Sequence, residues 1–269
     1  MNPNQALWEK GDFTRIAETM RGAGTALVDR IGVVPGSRVL DLGCGDGTTA
    51  IPAALRGAEV LGIDIANNLV AAGKRRATEI DLPNCRFQQG DACDLRDLAD
   101  GDFDLVVSIF GAMFAPKPDA VAREMVRVTR PGGRIVMGNW IPNDPTLVAQ
   151  ILKISSDYSP PPPEGFVSPM LWGVAAHVIA RFGQAGIAPG QIQCVQDSFL
   201  FDFPGPPQDF VSLFRNYYGP TMNAFDAAAR AGRVAELQCE LEALFVRLNT
   251  GQGTHTTLPA TFLRVTVAT

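Results

Sequence analysis

Ten residues, Arg38 to Gly47 (RVLDLGCGDG), set acids against a run of glycines. The aliphatic pair Val39-Leu40 leads into Asp41, and glycines follow at 43, 45 and 47. Glycine permits positive φ and lets a ligand lie against bare backbone. Cys44 adds only a small side chain, and Asp46 puts a second acid inside the loop. Glycine loops at a helix start commonly cradle phosphate with backbone N–H groups and the positive end of the helix dipole. Two carboxylates at the bend would repel a pyrophosphate. Asp41, Gly43, Cys44 and Gly45 therefore predict a site for a phosphate-free ligand that carries positive charge.

A third acid, Asp64, closes the aliphatic run Ala58-Glu59-Val60-Leu61-Gly62-Ile63, about twenty residues after the first glycines. An acid at that distance can accept hydrogen bonds from both hydroxyls of a ribose, as in other doubly wound nucleotide sites. The alternative is that Asp64 caps the following helix. S-adenosylmethionine has a ribose, a sulfonium and an ammonium, and no phosphate. The charge pattern favours it.

The stretch VLDLGCGDG also resembles motif I of the class I S-adenosylmethionine-dependent methyltransferases, and further motifs follow in order. GIDIANNLV is similar to motif II, which implies Asp64 on the ribose and Ile65 against the base. Gly90-Asp91-Ala92 resembles the third motif. That likeness implies an acid on the exocyclic amine of adenine, a donor-only group, with the Ala92 N–H on a ring nitrogen. Ser108, at the end of the next apolar strand, would lie beside the cofactor. RVTRPGGRIVMGNW resembles the post-strand motif of the ubiquinone and menaquinone C-methyltransferases and their small-molecule relatives. Specific motifs span residues 36–141; elsewhere only the order of elements matches. The segment around Trp8 to Phe13 looks like the leading segment that folds over the cofactor in some small-molecule methyltransferases, or is ordinary helix packing. On the first reading Phe13 touches the cofactor. The resemblance implies methyl transfer to a small, partly apolar metabolite by in-line displacement, driven mainly by proximity and orientation. Two competing readings are a catalytically inactive cofactor-binding subunit and a nicotinamide oxidoreductase.

Acceptor-side residues are sought next to these motifs. Phe110 and Met113 follow Ser108 where some DNA- or protein-amide methyltransferases carry a polar, proline-containing tetrapeptide, absent here. With Trp140, Trp172 and Tyr218 they are the candidate substrate wall. The stretch from 142 to 190, rich in aromatics, methionine and the run Pro160–Pro163, predicts either a lid over an apolar pocket or a loop covering the sheet edge. If the acceptor needs a base, His177 is the first candidate, since histidine titrates near neutral pH. Tyr217, at a helix end, could orient a hydroxyl. An acidic phenol or enol would need neither.

The elements that hold these residues follow from pattern. Aliphatic runs at 39–41, 58–64, 85–89, 101–108 and 134–140 alternate with helical periodicity at 48–56, 67–80 and 120–130. Further strand patterns lie at 191–203 and 257–267, and helical spacing recurs at 173–183, 210–218 and 234–248. The fold class expected is α/β: a Rossmann-like seven-stranded, mostly parallel sheet with the last strand antiparallel, helices on both faces, and a helical lid. The expected parts are an N-terminal helical segment over the cofactor site (1–34), the S-adenosylmethionine-binding core (35–141), the lid (142–190) and the C-terminal part of the sheet with helices (191–269).

Composition narrows the partners. A net charge of −5 argues against nucleic acid. Five cysteines without a C-x-x-C pair, and two distant histidines, predict neither a disulfide framework nor a metal site. The longest apolar run, 105–115, is too short to cross a membrane, and no secretory pattern opens the chain. The expectation is a cytoplasmic monomer or homodimer acting on a small molecule.

Overall fold

The computed structural model describes residues 3–269. The first strand, β1 (Arg38–Leu42), is flanked by β2 (Glu59–Asp64) and β4 (Phe103–Ile109), with β3 (Cys85–Gln89) beyond β2. β5 (Thr129–Trp140), β6 (Ile192–Phe203) and β7 (Thr256–Ala268) complete one seven-stranded sheet in the order β3-β2-β1-β4-β5-β7-β6. β7 inserts between β5 and β6 and pairs antiparallel with both, so it alone runs against the other six. The inner parallel strands β1, β2, β4 and β5 are largely buried on both faces, which is why they read as near-continuous aliphatic runs.

Helices cover both faces. The N-terminal cap consists of α1 (Pro3–Glu9), α2 (Thr14–Glu18) and α3 (Arg21–Ile31). The crossovers are α4 (Ala50–Leu55), α5 (Asn67–Glu79) and α6 (Pro118–Val128). Val121, Ala122, Met125 and Val128 form the buried stripe of α6, as their spacing requires. After β5 come α7 (Leu147–Tyr158) and α8 (Ala175–Gln184), then, after β6, α9 (Pro207–Tyr217), α10 (Gly219–Arg230) and α11 (Val234–Leu248). Leu237, Leu241, Leu244 and Phe245 of α11 join the core. Among the described residues no helix is long and apolar enough to cross a membrane.

Two elements depart from the sequence pattern. The pattern places the fifth strand at 134–140, after Pro131-Gly132-Gly133. Instead β5 begins at Thr129, opposite Phe103, and its register slips before Arg134 meets Leu105. A proline is accommodated at such an irregularity because no ladder hydrogen bond is asked of it. The expected lid, 142–190, folds as α7 and α8 with a short 3-10 turn, Pro169–Gly173, between them. That turn packs on the end of β5: a Cβ on Gly173 would lie 2.0 Å from the Trp140 carbonyl oxygen.

Candidate donor and acceptor cleft

In the strand order, the chain reverses direction of progress between β1 and β4, and the cleft opens there, beyond the carboxyl ends of the strands. The loops leaving these two strands touch. A Cβ on Gly43 would lie 2.6 Å from the Gly111 Cα, and one on Gly111 would lie 2.3 Å from the Gly43 carbonyl oxygen. Both positions therefore require glycine. Gly45, at φ +55°, has open space where a side chain would be, so its backbone is bare to the cleft.

Three acids line this cleft from separate strand ends. Asp64 is buried and accepts from the Gly45 N–H at 2.8 Å and the Ala66 N–H at 2.9 Å. Asp64 thus holds the backbone of Ala66, just before α5, and also lines the cleft with lone pairs to spare. Burial raises its pKa, against the pull of its backbone donors. Asp41 is 1% exposed, and burial pushes its carboxyl up to about 8, opposed by the Ala50 N–H and assisted by the nearby charge of Asp64. Its Oδ2 has no partner within the protein. A buried, unmatched carboxylate oxygen is costly, and on a cleft wall it is a ready acceptor for an ammonium. Asp91 accepts from the Cys93 N–H at 2.9 Å, and with Ala92 and Ile65 it forms the far wall.

The structure corrects the role expected of Asp46. Its carboxylate is 1% exposed and held between two guanidiniums, Arg21 Nη2 at 3.1 Å and Arg76 Nη1 at 3.2 Å. Its charge is spent on those partners. The negative face toward a ligand is carried by Asp41 and Asp64.

Side chains of the N-terminal helical segment reach the cleft. Trp8 and Phe13 line it, packed edge to face with ring centroids 5.7 Å apart. Glu9 of α1 accepts from the Asn67 N–H at 2.9 Å, and Lys10 binds Asp226 of α10 at 2.6 Å. Asn4 and Met20 also line the cleft, without a signal in the pattern beyond helical spacing.

The remaining wall is apolar. Phe110 lines it at φ +61°, a strained setting for a non-glycine residue. Its ring stacks on Trp140, centroids 3.6 Å apart and planes at 11°, and meets Phe199 edge-on at 5.1 Å. Ile109, Ala112, Ala115 and Phe199 complete that side. Phe199 was missed because it belongs to the last-but-one strand in sequence, brought over the cleft only by the sheet order.

Other expected site residues lie elsewhere. Ser108 is turned inward: its hydroxyl donates to the Leu42 carbonyl at 2.6 Å and accepts from the Ala112 N–H at 2.9 Å, tying β1 to the turn after β4. Met113 is 1% exposed in the core and does not line the cleft. Trp140 supports Phe110 from behind. Trp172 is 1% exposed, packed against Phe182 with the Arg181 guanidinium 4.5 Å over its ring. Among the described residues none from 142–190 lines the cleft. His177 is exposed on α8, and Tyr217 is half-buried on α9; neither lines the cleft. Tyr218 is buried against Trp8 and Phe13, and burial pushes its phenol above the usual range, away from a base.

Comparison with known proteins agrees with this geometry. Residues 40–137 match the methyltransferase domain family. An uncharacterised protein of Mycobacterium tuberculosis is 34% identical over 246 residues, 91% of this chain and 86% of that one. Demethylmenaquinone methyltransferase of Beutenbergia cavernae is 43% identical over 115 residues, less than half of either chain. Phosphoethanolamine N-methyltransferase 2 of Haemonchus contortus, solved with phosphomonomethylethanolamine and S-adenosylhomocysteine, superposes with a TM-score of 0.57 at 19% identity, over 92% of this chain and 52% of that one. That last likeness is one of fold.

Proposed function

The chain belongs to the class I S-adenosylmethionine-dependent methyltransferases, and from that premise we propose that it methylates a small, partly apolar metabolite held between Phe110 and the N-terminal cap. The cofactor is S-adenosylmethionine, which supplies a methyl group on a sulfonium and leaves as a neutral thioether. The residues present fit it: an open glycine face at Gly45, a ribose acceptor at Asp64 and an unmatched carboxylate oxygen at Asp41. In this reading Asp41 pairs with the donor's ammonium, Asp64 holds the ribose, Ile65 packs on adenine, and Asp91 with Ala92 reads its edge.

The observation that carries the acceptor side is the uniform character of the wall facing away from the acids. Phe110, Phe199, Ile109 and Ala115 offer no proton acceptor. Their work is to exclude water and hold the acceptor in line with the methyl group, at the ~3–3.5 Å separation from which orientation alone supplies much of the rate. With His177 exposed and Tyr218 kept protonated by burial, an acceptor whose attacking atom ionises or carries a lone pair in water fits this wall best. An oxidoreductase reading is not favoured, because the buried Asp41 carboxyl lies at the glycine bend, where a pyrophosphate would need bare N–H groups.

The test is calorimetry with S-adenosylhomocysteine and, separately, with NAD, followed by transfer of labelled methyl from the donor to a panel of small phenols, enols, amines and thiols. Binding of the adenosyl compound alone, with label in a member of the panel, is the expected outcome. Binding of NAD in its place would overturn the proposal.

A further inference from the structure

The glycine loop is braced from outside the cleft. Arg76 of α5 donates to the Asp46 main-chain carbonyl at 2.6 Å and pairs with its carboxylate at 3.2 Å. Arg21, at the start of α3, reaches the other carboxylate oxygen at 3.1 Å. Neither arginine lines the donor cleft; both border a second, outer cavity in which Asp46 is the shared wall. Asp46 thus sits between the ligand's side of the loop and a pair of cations behind it.

The sequence neighbours of each arginine give the brace a direction. Arg21 follows Met20 and Phe13, cap residues that line the cleft. Arg76 lies on α5, which follows directly on Ala66, the residue whose N–H binds Asp64, the proposed ribose acid. The loop's other ties are made largely by its backbone: the Gly43 and Cys44 N–H groups to the Ile63 carbonyl at 2.7 and 3.0 Å, the Gly47 N–H to the Cys44 carbonyl at 3.0 Å, and the Gly45 N–H to Asp64 at 2.8 Å; the carboxylate of Asp46 is the side chain anchored by cations. A buried carboxylate stripped of its cations would have to move toward water or take up a proton, and the loop backbone would move with it.

We infer that Arg21 and Arg76 are positioning residues for the methyl donor, acting through Asp46 and not by touching the ligand. Arg76 holds the loop in its binding shape, and Arg21 fastens the closed cap to that loop. The inference rests on the donor site proposed above, and its test separates the two.

S-adenosylhomocysteine binding is measured by calorimetry and stopped flow for the wild type, Arg76→Ala, Arg76→Lys, Arg21→Ala, Asp46→Asn and the Arg76→Ala/Asp46→Asn double variant, each checked by thermal melting. Arg76→Ala should weaken affinity roughly tenfold, the size of a lost charge-assisted hydrogen bond, with partial recovery in Arg76→Lys. Because both act on one unit, the double variant should bind about as weakly as the worse single variant, not with the product of the two losses. Arg21→Ala should speed dissociation more than it slows association. If Arg76→Ala does not fold, amide exchange at residues 43–49 in Arg21→Ala is read in its place and should rise while the core stays protected. A wild type that binds, with Arg76→Ala within twofold of it or with multiplying losses in the double variant, overturns the inference. A wild type that does not bind overturns the donor site itself.

Discussion

If Asp41 receives the donor's ammonium, binding must be steeply pH-dependent, and the structure sets the scale. Burial holds the Asp41 carboxyl near a pKa of about 8 in the free protein. At pH 8 roughly half of the molecules carry the charge, and at pH 6 about one in a hundred. The α-amino group of a free amino acid, beside its own carboxylate, titrates above that of a peptide terminus, so the ligand stays largely cationic from pH 6 to 8. The competent pair is therefore about 50-fold rarer at pH 6 than at pH 8, or roughly 2 kcal/mol of binding. S-adenosylhomocysteine keeps the ammonium, so its dissociation constant, measured by calorimetry from pH 6 to 9, should fall steeply up to about pH 8 and then level off. Titrations at pH 7 in two buffers of different ionisation enthalpy should report release of close to one proton. Asp41→Asn should weaken binding at pH 8 and lose most of the acid limb, leaving only what Asp64 contributes. The same shift acts on the empty fold with the opposite preference. A carboxyl whose pKa is raised on folding binds more protons folded than unfolded, so it lowers stability as pH rises between its ordinary value of 3.8 and about 8. Asp41→Asn should remove that decline and melt higher than the wild type at pH 8 without ligand. A dissociation constant that is flat from pH 6 to 8, or an unchanged acid limb in Asp41→Asn, would refute the reasoning.

Asp64→Ala removes both the proposed ribose acceptor and the partner of the Gly45 N–H; S-adenosylhomocysteine affinity should drop at least tenfold, about 1.4 kcal/mol, and unchanged calorimetry would remove the assignment. Trp172→Ala should cost about 3–5 kcal/mol of stability in urea while donor affinity and acceptor preference stay as they were, since the ring is buried outside the cleft; altered acceptor preference at unchanged stability would restore the lid reading. Gly111→Ala places a methyl 2.3 Å from the Gly43 carbonyl oxygen, so a loss of about 1–3 kcal/mol from overpacking should accompany weaker donor binding, and a wild-type melting temperature would show that the two loops part freely.

The parallel half of the sheet was legible because strands buried on both faces leave aliphatic runs, and their ends are marked by acids and glycines. Asp41, Asp64, Asp91 and Gly45 were found that way, each at the carboxyl end of its own strand or in the loop just after. The helix α10 was not: Tyr218-Gly219-Pro220 reads as a stop, yet Pro220 lies in the first turn of a new helix, where a missing N–H costs nothing. The acceptor wall was half legible. Phe110 stood beside a motif, but Phe199 and Met20 come from opposite ends of the chain. They are joined where the Asp202 N–H donates to the Thr19 carbonyl at 2.8 Å, a contact with no trace in either segment alone.

Asp46 teaches most about what local pattern can carry. Within the loop it counts as a second repelling charge beside Asp41. Its partners lie 25 residues before it and 30 after it, and both are cations. Selection against a pyrophosphate therefore falls to Asp41, because an acid at the place of Asp64 serves the ribose of a dinucleotide equally well. Asp41 is held in a desolvated state that a cationic ligand relieves and that a phosphate would worsen. The discrimination survives the loss of one charge because it comes from the end of β1, which the sheet fixes beside β2, and not from the composition of the loop after it.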